Sequence, residues 1–173
     1  KPFFYFSHGV SVSEVEVDTL TGENTVTRVD ILQDVGNSLN PAIDIGQIEG
    51  AFIQGMGWLT TEELKWDDNG RLASFSPANY KIPAIGDTPE IFNVDLYDSE
   101  NPEATVFRSK AVGEPPFMLC FSVWSAIRDA LASINDYQFS PQLNTPATPE
   151  TVLNAVLVAK QFAEKKDTNV EKI

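Results

Sequence analysis

At 173 residues the chain is long enough for one domain with a real core, and 42% hydrophobic residues with 21% charged is the balance of a folded chain, not a disordered one. A formal net charge of −13 excludes a nucleic-acid footprint, which needs a basic patch, and docking on an anionic membrane. One cysteine, Cys120, and one histidine, His8, exclude a disulfide framework, a four-cysteine iron–sulfur site and a structural zinc site, so any redox cofactor is held mostly by other means or by residues outside this chain.

No secretory leader is visible in these residues, and no apolar run approaches the roughly 20 residues of a membrane span. A cytoplasmic location fits. The opening Lys1-Pro2-Phe3-Phe4-Tyr5-Phe6 has no initiator methionine and reads as the interior of a longer polypeptide.

Residues 3–34 read as strands. Val10, Val12, Val15 and Val17 are interspersed with polar residues, Leu20-Thr21-Gly22-Glu23-Asn24 is a turn signal, and Thr25 to Leu32 is a second β-rich run, which predicts a hairpin. Asp34 to Pro41 is a loop by its Gly, Asn and Pro content. Residues 44–64 read as a helix with Asp44 as N-cap and Gln47 completing a capping box, and Ile45, Ile48, Phe52, Met56 and Leu59 recur at helical spacing.

The other side of that helix is unusual: Gly46, Gly50, Gln54 and Gly57 line it, with Gln47 and Ala51 alongside. Each interior glycine costs about 1 kcal/mol relative to alanine. Either tight packing by another backbone or approach by a bulky ligand explains the stripe.

Asp67 to Gly70 is a turn, extended chain follows to 82, and 83–89 is a loop. Ile91 to Tyr97 alternates as a strand does. A second helix is predicted from Pro115-Pro116 to about Ile134, apolar nearly all round at first and therefore buried. After a loop at 135–147, a third helix starts with Thr148 as N-cap and Pro149 at its first position. A charged tail occupies 165–173. The fold class predicted is α+β, a mixed sheet with a hairpin and about three helices, without an internal domain boundary.

Ser109-Lys110-Ala111-Val112-Gly113-Glu114-Pro115-Pro116 is the first candidate for chemistry. It sets a carboxylate between a glycine, which permits close approach, and two prolines, which restrict the chain and aim the side chain. A general base has this construction, although from the residues alone a plain carboxylate on a turn is the commoner case. His8 reads as structural, Cys120 as buried and inert, and the pairs Glu62-Glu63 and Asp67-Asp68 as solvated. The glycines fit neither dinucleotide-binding nor Walker spacing.

Taken together, the run Asp34 to Gly55, the segment Tyr80-Lys81-Ile82-Pro83, the run Ser109 to Pro116 and Pro146-Ala147-Thr148-Pro149-Glu150 resemble the xanthine dehydrogenase family of molybdenum hydroxylases. The likeness runs from about Phe6 to about Ala159. It implies that 1–173 is the C-terminal segment of the molybdopterin-binding domain of a larger enzyme. The reaction implied is hydroxylation of a purine, hypoxanthine to xanthine to urate, with water as the oxygen source. Glu114 is then the general base acting on hydroxide bound to molybdenum.

The cofactor implied is molybdenum on a pyranopterin. Iron–sulfur clusters and FAD belong to other domains or subunits. Gln47 of the Gly-Gln-x-Glu-Gly motif and the backbone at Lys110 and Gly113 are the implied cofactor-binding positions. The partners implied are the rest of the molybdopterin-binding domain, the iron–sulfur and flavin domains, the purine, and a second copy of the full assembly in a dimer. The family's substrate-clamping arginine, sandwiching phenylalanines and second pocket glutamate have no match here, so the chain alone is not expected to be active. Relatives acting on aldehydes or other N-heterocycles, and a non-catalytic module that keeps only the scaffold, are the alternatives. Exposed apolar surfaces are expected along the helix from Met118 and over the glycine stripe if the segment is separated from its partners.

Overall fold

A computed structural model describes residues 2–170, with side chains described to 165. The chain is α+β. Strands β1 (Gly9–Val17) and β2 (Asn24–Gln33) form the expected antiparallel hairpin, with a bulge at Glu14/Val15. The turn between them closes on Asp18, whose carboxylate accepts the Leu20 N–H, and on Gly22 at φ 79°, a conformation that favours glycine. Helix α1 (Pro41–Thr60) follows, then an irregular stretch, and β3 (Ile91–Leu96) pairs parallel with β2. The sheet order is β1-β2-β3. A 3-10 turn (Pro115–Cys120) leads into α2 (Phe121–Ser133), and α3 (Pro149–Val170) ends the described chain.

One face of the sheet packs against the helices. Val29 and Ile31 of β2 meet Ile48, Phe52, Met56 and Leu59 of α1, Val123, Ile127 and Leu131 of α2, and Val152, Ala155 and Val156 of α3. Phe52 is fully buried and its ring lies 5.5 Å from that of Phe92 on β3. The alternation of β2 and the helical spacing of α1 create one continuous core because each supplies a single apolar face.

Several sequence expectations change in detail. α1 begins at Pro41, not near Asp44, because Asn40 caps it through Oδ1 to the Ile43 N–H, with proline at the first helical position. Asp44 lies inside the helix and accepts the Ser38 hydroxyl. The segment after Pro115 opens as a 3-10 turn, and it is less buried than its apolar sequence suggests: Met118 and Phe121 are exposed. Glu62 is buried rather than solvated, and it accepts a 2.6 Å hydrogen bond from Tyr80. Thr148 caps α3 as expected, accepting the Thr151 N–H. α3 continues to Val170, so the charged tail begins within it, and residues 171–173 lie outside the described residues. Among the described residues, no helix is long and apolar enough to cross a membrane.

Candidate functional site

The site starts from a buried carboxylate at the end of β2. Asp34 accepts the Gly36 N–H at 2.9 Å and the Ser99 hydroxyl at 2.5 Å on Oδ1, and the Lys110 ammonium at 2.5 Å on Oδ2. Burial pushes this carboxyl upward, but the hydrogen bonds from Lys110, Ser99 and Gly36, with the Lys110 charge, outweigh it and hold it at about 2. The pair ties together loops that are 76 residues apart in sequence.

Backbone bonds reinforce the tie. Lys110 N–H donates to Val35 C=O at 2.7 Å, and Asn37 N–H donates to Arg108 C=O at 3.1 Å. Phe107 and Arg108 take φ of 50° and 60°, a left-handed conformation uncommon for such side chains. Buried Asn101 supports them. Its N–H donates to Arg108 C=O and its Nδ2 to Ser109 C=O. Tyr5 accepts the Ala111 N–H, so the N-terminal segment also braces this loop.

The braced loop delivers Gly113 to α1. A Cβ built on Gly113 would lie 3.7 Å from Oε1 of Gln47, so the two motifs meet in space. Two further contacts lock the 3-10 turn after Glu114 onto α1. Gly55 lies against Cys120 Sγ and Phe117 C=O so closely that a side chain there would overlap them, and the rings of Trp58 and Phe117 stack at 4.8 Å and 3°. Cys120 itself is buried, and burial pushes its thiol up to about 11, which leaves it inert.

Glu114 is exposed, and among the described residues its carboxylate has no hydrogen-bonding or ionic partner. Gln47 is also exposed, with its amide beside Gly113. The glycine stripe divides in two. Gly57 packs against Pro83 and Glu62, which accounts for it by tight packing, whereas added Cβ atoms at Gly46 and Gly50 would meet nothing within 4 Å. The result is an open stretch of helix backbone beside the Gln47 amide, which a bulky polar group can approach closely.

Of the predicted site residues, Gln47 and Gly113 come together at the surface, and exposed Glu114 follows Gly113 in the chain. The Lys110 side chain does not, because it is 6% exposed and engaged with Asp34, so any cofactor contact at this position falls to its backbone. Asp34, Ser99 and Asn101 were missed as supports. His8 is exposed, its Nδ1 3.7 Å from the Asp34 carboxylate. A separate apolar cavity of about 380 Å³, lined by Leu64, Leu72, Phe75, Pro77, Tyr80 and Ile82, holds none of the predicted site residues.

Residues 1–89 match the family described as the molybdopterin cofactor-binding domain. The xanthine dehydrogenase/oxidase of Gallus gallus is 54% identical over 159 residues, covering 90% of this chain and 12% of that protein. The aldehyde oxidase 2 of Macaca fascicularis is 51% identical over 154 residues, covering 87% of this chain and 11% of its own length. Among solved structures, quinoline 2-oxidoreductase from Pseudomonas putida 86 superposes with a TM-score of 0.74 at 30% identity, covering 83% of this chain and 18% of the other.

Fold and matches together define a molybdopterin cofactor-binding domain. The chain belongs to the molybdopterin-binding region of the xanthine dehydrogenase family. It spans only about an eighth of the curated relatives it matches, at 12% and 11% of their lengths.

Proposed function

We propose that the chain is the segment of a cytoplasmic xanthine dehydrogenase that supplies the general base, and that the full enzyme hydroxylates a purine with water as oxygen source. The observation carrying this reading is the approach of Gly113 to Gln47, with the next residue, Glu114, exposed and unpartnered among the described residues. The 54% identity to a xanthine dehydrogenase/oxidase favours the purine.

The residues present fit a molybdenum–pyranopterin. Gly46 and Gly50 leave open space over the helix backbone, Gln47 offers both donor and acceptor without charge, and Gly113 lies beside its amide. When bound, the group supplies two-electron oxidation and lowers the pKa of coordinated water.

The chain's own residues then have limited and definite tasks. Glu114 accepts a proton at its carboxylate from the water-derived nucleophile, and being unpaired it does so without breaking a protein ion pair. Gly113 and the following prolines hold its backbone, and the Trp58–Phe117 stack fixes the turn that carries it. The Gln47 amide orients the cofactor edge. Asp34, Lys110, Ser99 and Asn101 keep the loop in place without taking part in the chemistry.

Iron–sulfur clusters and FAD elsewhere in the full enzyme complete electron transfer to NAD, and the active assembly is a dimer. The test is turnover by the full-length enzyme at measured molybdenum content, comparing xanthine with aldehydes and quinoline. Urate formation with ¹⁸O from labelled water supports the reading. Turnover of aldehydes alone moves the substrate to the aldehyde-oxidising relatives, a second reading favoured by the 51% identity to an aldehyde oxidase. A molybdenum-free protein reduces the chain to a scaffold.

A further inference from the structure

The outer edge of β1 is open, and it faces a groove. β1 is the terminal strand of the sheet order. His8 C=O accepts the Asp34 N–H at 2.8 Å, and the register continues from there as Val10↔Leu32 and Val12↔Asp30. Antiparallel alternation therefore turns the backbone of Val10, Val12 and Glu14 towards β2 and that of Ser11 and Ser13 away from it. The bond from Thr27 Oγ1 to Glu14 C=O agrees with this phase. Among the described residues, no backbone or side-chain group bonds the outward N–H or C=O of Ser11 or Ser13.

These groups border a groove of about 920 Å³ between β1 and α2. Every residue from Ser11 to Glu16 lines it, so side chains of both faces, and hence the backbone edge itself, look into it. The opposite wall is made largely of small residues of α2, among them Ser122, Ser125, Ala126, Ala130 and Ser133. An unpaired strand edge facing a helix wall of small side chains is the geometry that accepts one more strand. The ionisable acids Glu14, Glu16 and Asp129 are in the lining, which includes no Lys, Arg or His; Arg28 lies opposite Glu14 on β2.

We propose that an extended segment of the same, longer polypeptide, bearing a Lys or Arg towards this acidic rim, adds to β1 as a fourth strand. It bonds the outward groups of Ser11 and Ser13, before the bulge at Glu14/Val15 breaks the edge. The occupant is another part of the enzyme because the relatives carry this fold inside far longer chains, of which it makes up 12% and 18%. The inference rests on the reading that the chain works inside such an enzyme.

Residue-resolved amide hydrogen exchange on the full-length enzyme tests it, and is read whether or not that enzyme oxidises a purine. The Ser11 and Ser13 amides are expected to exchange at least about 100-fold slower than a free chain, alongside the ladder amides of Val10 and Val12. Free-chain exchange at Ser11 and Ser13, with Val12 still protected, overturns the proposal. Protection that disappears on dilution assigns the edge to a second copy and also overturns it. As a second arm, Ser13→Pro removes the outward donor but no ladder bond, and Ser13→Ala removes only the hydroxyl contact to Ser122. Ser13→Pro is expected to lose the Ser11 protection while Val12 keeps its own. Equal protection in the two variants contradicts the added strand.

Discussion

The Lys110 ammonium lies 2.5 Å from the Asp34 carboxylate, with both side chains only 6% exposed, and this pair joins the loop before α1 to the loop that carries Glu114. Removing one partner leaves an uncompensated buried charge. Lys110→Met is therefore expected to destabilise the protein by about 3–5 kcal/mol. Equilibrium denaturation checks this. The double replacement Asp34→Asn with Lys110→Met is expected to recover part of the loss, because no buried charge then remains.

The same pair gives a pH dependence. Asp34 sits at about 2 in the folded protein and 3.8 is its ordinary value. Its stabilisation, about 2 kcal/mol, is therefore fully present above about pH 5 and is lost as pH falls towards 2. Denaturation midpoints measured between pH 6 and pH 2.5 should fall in the wild type and fall less in Asp34→Asn. Equal slopes in the two proteins would show that other carboxylates govern acid unfolding.

The divided glycine stripe separates packing from cofactor contact. Gly57→Ala drives a Cβ to within 2.5 Å of the Pro83 ring and is expected to cost about 1–3 kcal/mol. Gly46→Ala and Gly50→Ala meet nothing within 4 Å, so each should leave the fold intact or stabilise α1 by up to about 1 kcal/mol. In the full-length enzyme these same two variants are expected to lower molybdenum–pyranopterin content. Unchanged cofactor content with Ala at 46 and 50 would remove this face from the site.

Phe52 shows how α1 is held. Its ring is fully buried against Phe92, and Phe52→Ala is expected to cost about 3–5 kcal/mol by opening a cavity between helix and sheet. A thermal melt of the variant tests it, and a loss below about 1 kcal/mol would mean that the helix packs elsewhere.

Much of this was legible in the sequence because it is local. The β1–β2 hairpin follows from alternation and the Leu20–Asn24 turn, and the start of α3 from Thr148-Pro149. The start of α1 was misplaced because Asp44 and Gln47 mimic a capping box, while Asn40-Pro41 makes the actual cap. Glu62 looked solvated beside Glu63, and only the return of Tyr80 buries it. The Asp34–Lys110 pair joins positions 76 residues apart, and no local spacing encodes such a contact. Glu114 stands out by its Gly-Glu-Pro-Pro setting, Gln47 and Gly113 as cofactor positions by the family likeness of their motifs, and the approach of Gly113 to Gln47 emerges only from the folded chain.

The proposed general base is Glu114. The measurement is the rate of xanthine oxidation by the full-length enzyme carrying Glu114→Gln, at molybdenum content matched to wild type. The amide keeps the shape of the side chain but cannot accept the proton, so a fall of at least about 100-fold in kcat is expected, with molybdenum retained. A variant that turns over at the wild-type rate with the same molybdenum content would contradict the assignment.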